Sequence, residues 1–267
     1  MNALGKKLAK MAFEDLKADY LLLIREEHGD LAPAFVSKGE DVGDVCFDAP
    51  YQLVTILSRI YPHVPKGKIA IVARRCDDLA INELIKRGFI DEKRIIRIGL
   101  ACDGNTADKC RCPDPKPGKV NIGEPVKGIP EDPLVAKLMR MSLEDRLTYW
   151  VRMFRKCNKC FGCTINCPVC FCENQCVLGE RTLVAEKSIP PGLAFHLVRS
   201  FHMADKCIEC GECERACPGD IPLLALRRMV HADMKELYEF APGDTKAVSP
   251  LLTTLEGEMM EDERNVC

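Results

Sequence analysis

The sequence predicts two consecutive domains: an α/β N-terminal domain with a small parallel sheet, and a cysteine-rich α+β domain with a helical insertion. Residues 67–100 show a strand–helix–strand pattern, and eleven of the seventeen cysteines lie between Cys157 and Cys217. A chain of 267 residues is long enough for two ordinary domains. We expect the α/β domain over residues 1–130, a helical linker over 131–156, the cysteine-rich domain over 157–240 and an acidic tail over 241–267.

Composition and charge argue against several functional classes. The net charge is −2, and aromatic residues make up 6% of the chain, so neither a basic field nor base-stacking side chains favour nucleic acid binding. The apolar runs are too short to span a membrane, and the N-terminus lacks the pattern of a signal peptide. Dense cysteines in a reducing compartment usually ligate metal. We therefore expect a cytoplasmic metalloprotein with no membrane span.

The N-terminal half contains the elements of an α/β unit. Ile69–Ala73 is an apolar, partly β-branched run typical of a buried strand, and Arg94–Leu100 predicts a second strand. Between them lies a predicted helix with Asp77 as its N-cap and Gly88 at its end. A strand–helix–strand unit of this length predicts parallel strands. Pro50–Tyr61 predicts a further helix against the sheet.

The linker and the end of the cysteine-rich domain are predicted to be helical. Pro133–Cys157 has helical spacing, with Ser142 and Asp145 as a capping pair. Trp150, the only tryptophan, belongs either to the core or to a partner contact. Ile221–Phe240 predicts the helix after the last cysteine cluster.

One cysteine pattern, C-x2-C-x2-C-x3-C-P, occurs twice with every position offset by 50 residues. The first copy comprises Cys157, Cys160, Cys163 and Cys167-Pro168, and the second comprises Cys207, Cys210, Cys213 and Cys217-Pro218. Three thiolates at this spacing wrap one face of an iron–sulfur cube, and the fourth ligates the other cube in two-cluster ferredoxins. The pattern therefore predicts a dicluster ferredoxin-like domain.

Exchange of the fourth ligand between the repeats defines two predicted 4Fe–4S sites. The first consists of Cys157, Cys160, Cys163 and Cys217, and the second of Cys207, Cys210, Cys213 and Cys167. The alternatives are a pair of four-cysteine zinc sites or unliganded cysteines. Zinc ribbons usually have two separated C-x2-C pairs rather than a run of three followed by C-P, which favours iron–sulfur clusters.

The segment between the repeats predicts a helix over Gly192–Lys206, with Leu193, Leu197 and Phe201 on one face. His196 and His202 lie on or near this helix, and we expect packing roles for them rather than metal ligation.

A second group of cysteines, Cys170, Cys172 and Cys176, follows the first repeat. These thiols either ligate a further cluster or pack around the first one. Cys163, Cys167 and Cys170 also match the radical-SAM spacing, which the ferredoxin pattern running into Cys170 explains better. We expect Cys46 and Cys267 to ligate nothing.

Four cysteines of the N-terminal half are candidates for a third 4Fe–4S site. Cys76 and Cys102 each follow a predicted parallel strand, so both lie at the carboxyl edge of the sheet, where open α/β folds bind ligands. Cys110 and Cys112 follow on a loop that would return over this edge. The alternative is that Cys76 and Cys102 are small buried hydrophobic residues. No G-x-G-x-x-G follows either strand, so a dinucleotide fingerprint is absent, whereas a flavin such as FAD needs none.

The segments Arg75–Ala80 and Ile98–Gly104 resemble the N-terminal domain of deazaflavin-dependent hydrogenase and formate dehydrogenase beta subunits. The runs Cys157–Cys176 and His202–Pro222 resemble the fused dicluster ferredoxin of their iron–sulfur relatives. Those relatives accompany formate dehydrogenases, hydrogenases and heterodisulfide-reductase-like complexes in anaerobes. The resemblance covers about residues 66–240.

The resemblance implies an electron-transfer subunit of a hetero-oligomeric anaerobic complex, without substrate chemistry of its own. Such a subunit relays electrons between a dehydrogenase or hydrogenase module and a reductase module. The alternative is a flavin-containing beta subunit that exchanges hydride with a deazaflavin or nicotinamide. Flavin-using members generally carry a further C-terminal domain, whereas this sequence ends soon after the second repeat, which favours the electron-transfer role.

Overall fold

The computed structural model describes residues 1–170, 177–178 and 192–251. The chain divides into two compact units, Met1–Pro130 and Glu131–Cys267. Across the described ranges, no helix combines the length and the apolar character needed to cross a membrane.

The first unit is a mixed α/β structure around one five-stranded sheet. Its strands are β1 (Tyr20–Glu27), β2 (Asp30–Ser37), β3 (Asp44–Val45), β4 (Ile69–Ala73) and β5 (Ile95–Gly99). Its α-helices are α1 (Ala3–Ala9), α2 (Leu53–Ile60), α3 (Arg75–Lys86) and α4 (Gly104–Lys109). A π-helical turn (Lys10–Asp15) and two 3₁₀ turns (Tyr61–His63 and Glu92–Arg94) connect them. The strand order is β2-β1-β4-β5, and β3 also pairs with β1.

The predicted strand–helix–strand unit is present, but the sheet is not entirely parallel. β4 and β5 pair in parallel with Ala73 opposite Gly99, and β1 pairs in parallel with β4. The prediction of a parallel sheet is wrong for β1 and β2, which form an antiparallel hairpin. His28 and Gly29 make its turn with φ values of +55° and +83°, as a tight right-twisted hairpin requires. Because Leu21 to Ile24 are all buried, β1 lacks the alternation that identifies a hairpin strand.

Asp77 stabilises the start of α3 from inside the helix. The prediction that Asp77 is the N-cap is wrong, because α3 begins at Arg75 and Arg74 is the N-cap. Asp77 Oδ2 accepts a hydrogen bond from the Arg74 backbone N–H at 3.0 Å. Its Oδ1 accepts from Gln52 Nε2 and from the Val54 N–H at the start of α2. One carboxyl group therefore holds the amino ends of two helices together.

All the regular secondary structure in the described residues of the second unit is helical. Its helices are α5 (Pro133–Met139), α6 (Leu143–Phe154), α7 (Gly162–Ile165), α8 (Leu193–His202), α9 (Glu212–Arg215) and α10 (Leu223–Tyr238). The strands expected of an α+β domain are not among these described residues. The single helix predicted over Pro133–Cys157 is two helices, because Ser142 caps α6 by accepting a hydrogen bond from the Asp145 N–H at 3.1 Å.

The helices of residues 131–156 belong to the core of the second unit rather than forming a separate connection. Trp150 and Phe154 of α6 pack with Ile221 and Leu223, and Trp150 is 7% exposed. Its indole ring stacks on Phe154 with ring centroids 5.6 Å apart. Trp150 is therefore a core residue of this unit.

The apolar residues whose spacing predicts α8 do not form its buried face. Leu193, Leu197 and Phe201 are 40–65% exposed. The buried positions are Phe195, His196, Arg199 and Ser200. Apolar spacing does not identify this face, because two of its side chains, His196 and Arg199, are polar and lie beside the cysteine loops.

Candidate metal centres

The two cysteine repeats fold into loops of the same backbone shape. Each loop is followed by a four-residue helix, and α7 and α9 start 50 residues apart. Residues with positive φ occupy equivalent positions before and after the second cysteine of each repeat. They are Lys159 and Phe161 in the first repeat, and Glu209 and Gly211 in the second. The sequence repeat is therefore also a structural repeat.

These turns direct backbone N–H groups towards cysteine sulfurs. The Lys159 N–H donates to Cys157 Sγ, and the Gly162 N–H donates to Cys160 Sγ, both at 3.4 Å. In the second repeat the Glu209 N–H interacts in the same way with Cys207. Such donors favour the thiolate form of a cysteine, which is the form that ligates metal.

The first cavity combines three cysteines of the first repeat with one of the second. α7 packs against α9, which brings the end of the second repeat beside the first loop. About 360 Å³ of this cavity is free of protein atoms, and part of that space opens to solvent. Its cysteines are Cys157, Cys160, Cys163 and Cys217. Its other side chains include Phe161, Phe195, His196, Ile221 and Leu223.

The second cavity has the reciprocal composition. It also encloses about 360 Å³ free of protein atoms. Its cysteines are Cys207, Cys210, Cys213 and Cys167. Its other side chains include Arg199, Met203, Ile208, Leu224 and Arg227. The structure thus brings together the same two sets of four cysteines that the spacing groups together.

The thiols of each set surround a space instead of meeting at one point. Among the described residues, no three Cys, His, Asp or Glu side chains are close enough together to hold a single metal ion. A structural zinc ion needs four ligands at about 2.0–2.3 Å from one centre. A cavity edged by four separate thiols fits a polynuclear cluster instead. The radical-SAM trio is split, because Cys163 lines the first cavity and Cys167 the second.

Burial opposes thiolate formation at most of these cysteines. Burial raises the pKa of Cys163 and of Cys167, and it raises the pKa of Cys213 to about 12. Cys207 is the exception: burial acts in the same direction, but the hydrogen bond and charge of His231 lower its pKa overall. Four thiolates at these positions therefore need positive charge nearby, from a metal or from cationic side chains.

His231 belongs to a buried ion-pair network beside the second cavity. Burial alone would lower its pKa, but Cys207 and Glu209 raise it to about 10, so the imidazole is protonated at neutral pH. Its Nδ1 lies 2.8 Å from Glu209 Oε1. Arg228 bonds to the other carboxylate oxygen of Glu209 at 3.0 Å and to Asp132 at 2.8 Å.

Four cysteines of the first unit gather at the carboxyl edge of the sheet. Cys76 and Cys102 each lie three residues beyond the paired residues Ala73 and Gly99. Cys110 caps the end of α4, and the Cys112 N–H donates to the Ala107 carbonyl, which turns the loop back.

The pKa values of Cys76 and Cys102 depend on other thiols at this edge. Burial raises the pKa of Cys76, and Asp77, Cys102 and Cys112 raise it further. Burial is also the main cause that raises the pKa of Cys102 to about 11, with contributions from Cys112 and Cys110.

The remaining cysteines have varied positions. Cys46 follows β3 and is half-buried, and Cys170 Sγ lies 3.5 Å from Arg199 Nη1. Cys172, Cys176 and Cys267 lie outside the described residues.

The sequence did not identify three cationic side chains near the cavities, Arg199, Arg227 and His231. No local sequence pattern distinguishes a cationic side chain beside a cavity from one in solvent. His196, expected only to pack, stacks on Phe154 and also lines the first cavity.

Comparisons with known proteins agree with this cysteine chemistry. Residues 201–222 match the family described as 4Fe-4S binding domain. The F420-dependent formate dehydrogenase subunit beta of Methanocaldococcus jannaschii is 37% identical over 123 residues, which cover 44% of this chain and 32% of that protein. The F420-dependent formate dehydrogenase 1 subunit beta of Methanococcus maripaludis is 38% identical over 104 residues, covering 39% and 26%.

The chain spans about a third or less of the length of these curated relatives. The resemblance inferred from the sequence segments is confirmed, and it has two separate supports: the 4Fe–4S domain match and the beta-subunit matches. The chain is therefore similar, over these segments, to 4Fe-4S binding domains and to the beta subunits of F420-dependent formate dehydrogenases.

Proposed function

We propose that this chain is an electron-transfer subunit of a cytoplasmic, anaerobic oxidoreductase complex. It relays electrons between a formate dehydrogenase or hydrogenase module and a reductase module, and it carries no substrate chemistry of its own. The observation that carries the proposal is the pair of cavities, each lined by three cysteines of one repeat and one of the other. The names of the relatives support a redox complex of the formate dehydrogenase type.

The two cysteine sets would each hold one 4Fe–4S cluster. When bound, such a cluster supplies one-electron transfer at a potential set by its ligands, hydrogen bonds and solvent exposure. The protein contributes backbone N–H donors to cysteine sulfurs and apolar walls, such as Phe195, that limit solvent access. α8 lines both cavities, with Phe195 and His196 at the first and Arg199 and Met203 at the second. The two sites therefore share one wall.

We also propose a third 4Fe–4S site formed by Cys76, Cys102, Cys110 and Cys112. Its support is the matched position of Cys76 and Cys102 beyond two paired strands and the mutual electrostatic influence of the thiols. This site would lie where ligands bind in open parallel sheets.

The competing hypothesis is a flavin-containing beta subunit that exchanges hydride with a deazaflavin or nicotinamide coenzyme. Both relatives are named as F420-dependent enzymes, which favours testing this hypothesis. Bound FAD after anaerobic purification supports this hypothesis, and its absence at full iron loading supports the relay.

The deciding measurement is the iron, acid-labile sulfide and flavin content of the anaerobically purified protein. Two clusters correspond to about eight irons and eight sulfides per chain, and three clusters to about twelve of each. Stoichiometric zinc without sulfide would overturn the proposal.

Ligand exchange between the repeats is tested with four single variants. We expect Cys160→Ser and Cys217→Ser to alter one electron paramagnetic resonance (EPR) signal, and Cys210→Ser and Cys167→Ser to alter the other. The matched control, Cys46→Ser, should leave both signals intact. If Cys217→Ser instead behaves like Cys210→Ser, each repeat ligates its own cluster.

A further inference from the structure

Two buried arginines lie beside the second cavity. Arg199 of α8 is 5% exposed and Arg227 of α10 is 3% exposed. Arg199 Nη2 donates to the Cys163 carbonyl at 3.1 Å, and its Nη1 lies 3.5 Å from Cys170 Sγ. Arg199 Nε and Arg227 Nη1 are buried and have no hydrogen-bond partner among the residues that the structure describes.

Neither guanidinium has a carboxylate partner within the described parts of the chain. Burying a charge is costly unless an opposite charge or a full set of hydrogen bonds compensates it. Within the described ranges, the groups that can carry negative charge and that interact with these guanidinium groups are cysteine thiols. Arg199 interacts electrostatically with Cys163, Cys167, Cys170 and Cys213, and Arg227 interacts with Cys163, Cys167, Cys207 and Cys213. The compensating anion is therefore expected at the cysteines.

Other charged side chains near the second cavity contact carboxylates. Arg228 bonds to Asp132 and Glu209, and His231 Nδ1 lies 2.8 Å from Glu209 Oε1. Arg199 and Arg227 differ from them in having no carboxylate partner among the described residues.

The first cavity differs in the kind of charge that lines it. Its ionisable side chains besides cysteine are Lys156, Lys159 and His196. Lys156 is exposed and Lys159 is half-buried, so water and salt screen both ammonium groups. Burial and the charge of Arg227 lower the pKa of His196 to about 4, which leaves its imidazole neutral. The two cavities are thus alike in their cysteines, but Arg199 and Arg227 are among the lining residues of the second cavity only, although both also interact electrostatically with Cys163 of the first set.

We propose that Arg199 and Arg227 form a buried cationic pair that raises the reduction potential at the second cavity above that at the first. The proposal rests on the proposed function, because it requires a cluster in each cavity. Reduction of either cluster adds one electron from an external donor and hence one negative charge. Guanidinium groups in a low-dielectric site stabilise that added charge more than screened ammonium groups do. An electron shared between the sites then resides at the second cavity, which gives the relay a direction.

The test is an EPR-monitored potentiometric titration of the anaerobically purified, iron-loaded full chain. Arg227→Met removes a charge without removing a hydrogen bond to any described residue. We expect it to lower the reduction potential of the second-cavity cluster by at least 59 mV, a tenfold change in the ratio of reduced to oxidised cluster at fixed potential. Arg199→Met should act in the same direction, and Arg227→Lys should retain most of the wild-type value.

The matched control is Arg152→Met, the same substitution at an exposed position of α6 in the same unit. It should leave both potentials unchanged. The Cys167→Ser variant identifies which signal belongs to the second cavity. Repeating the titration at 1 M salt should preserve the Arg227→Met shift, because salt screens buried charges much less than exposed ones.

Iron and sulfide analysis of each variant separates the possible failures. If the wild-type protein holds two clusters and neither Arg199→Met nor Arg227→Met changes their reduction potentials, the proposed role of the cationic pair is wrong. The proposed relay function is unaffected by that result. The proposed role of the cationic pair is also wrong if the methionine variants shift the reduction potential of the first-cavity cluster more than that of the second-cavity cluster. If either Arg199→Met or Arg227→Met loses iron, the titration of the other variant tests the effect of the other guanidinium group. A wild-type protein with fewer than two clusters refutes the proposed function itself.

Discussion

At the residue scale, left-handed backbone conformations give the two cysteine loops their shape. Three of the four positions with positive φ carry side chains: Lys159, Phe161 and Glu209. A non-glycine residue there is strained and is held by its surroundings. Gly211 occupies the position equivalent to Phe161 with φ +78° and avoids that strain. The two loops therefore share one geometry although their local sequences differ.

We expect Gly211→Ala to destabilise the second unit. A Cβ at this position would lie 3.0 Å from Arg215 Nη1, and alanine is strained at this φ. The expected loss is about 1 kcal/mol of unfolding free energy, measured as a lower thermal midpoint of the iron-loaded protein. Gly104→Ala is the control, because that position has open space around it and lies at the start of a helix. Equal midpoints for both variants would contradict the prediction.

At the element scale, strand register determines where the first unit gathers its cysteines. Parallel pairing of β4 with β5 sets Ala73 opposite Gly99, so residues three positions further along both strands emerge at one edge. Asp103 then caps α4 by accepting a hydrogen bond from the Thr106 N–H at 2.7 Å. This cap starts the short helix that ends at Cys110.

We therefore expect Cys76→Ser and Cys102→Ser to lower the iron content by about four atoms per chain, from about twelve to about eight. Serine is close in size to cysteine but is a poor ligand for iron. Iron and acid-labile sulfide are measured on anaerobically purified protein, with Cys46→Ser as the control. An iron content that stays at the wild-type value in both variants would remove the third site and leave the two ferredoxin-like sites standing.

At the scale of the whole molecule, the two units differ in how they are stabilised. The first unit has a sheet in which β4 is wholly buried and β1 is buried from Leu21 to Ile24. One core cluster of the second unit comprises Leu138, Trp150, Phe154, Ile221, Leu223 and Ala225, with four cysteines packed against it. Where metal ligands form part of a small core, metal binding supplies part of the folding free energy.

Removal of iron and sulfide is therefore expected to loosen the second unit selectively. Trp150, the only tryptophan, is buried in that unit and reports on it alone. We expect a red shift of its fluorescence on anaerobic chelation, together with faster hydrogen exchange in α6 and α10. Peptides from β1 and β4 should remain protected. Unchanged Trp150 emission after complete loss of iron would contradict this expectation.

Much of this protein could be predicted from local patterns. The spacing of three cysteines and a C-P step repeats intact, so it groups the eight thiols into two sets without any knowledge of packing. Apolar, β-branched runs likewise predicted β4, which is buried on both sides, and β5, which is partly buried. The β1–β2 hairpin and the buried face of α8 could not be predicted, since β1 does not alternate and α8 buries polar side chains.

The sequence by itself determined the cysteine chemistry of this protein, because ligand spacing is a local property of the chain. Only the tertiary structure decided which charges accompany each cysteine set. Arg199 and Arg227 lie on different helices, and nothing in the neighbourhood of either residue marks it as buried beside the second cavity. Long-range packing brings both guanidinium groups there, and it leaves the lysines of the first cavity in contact with water.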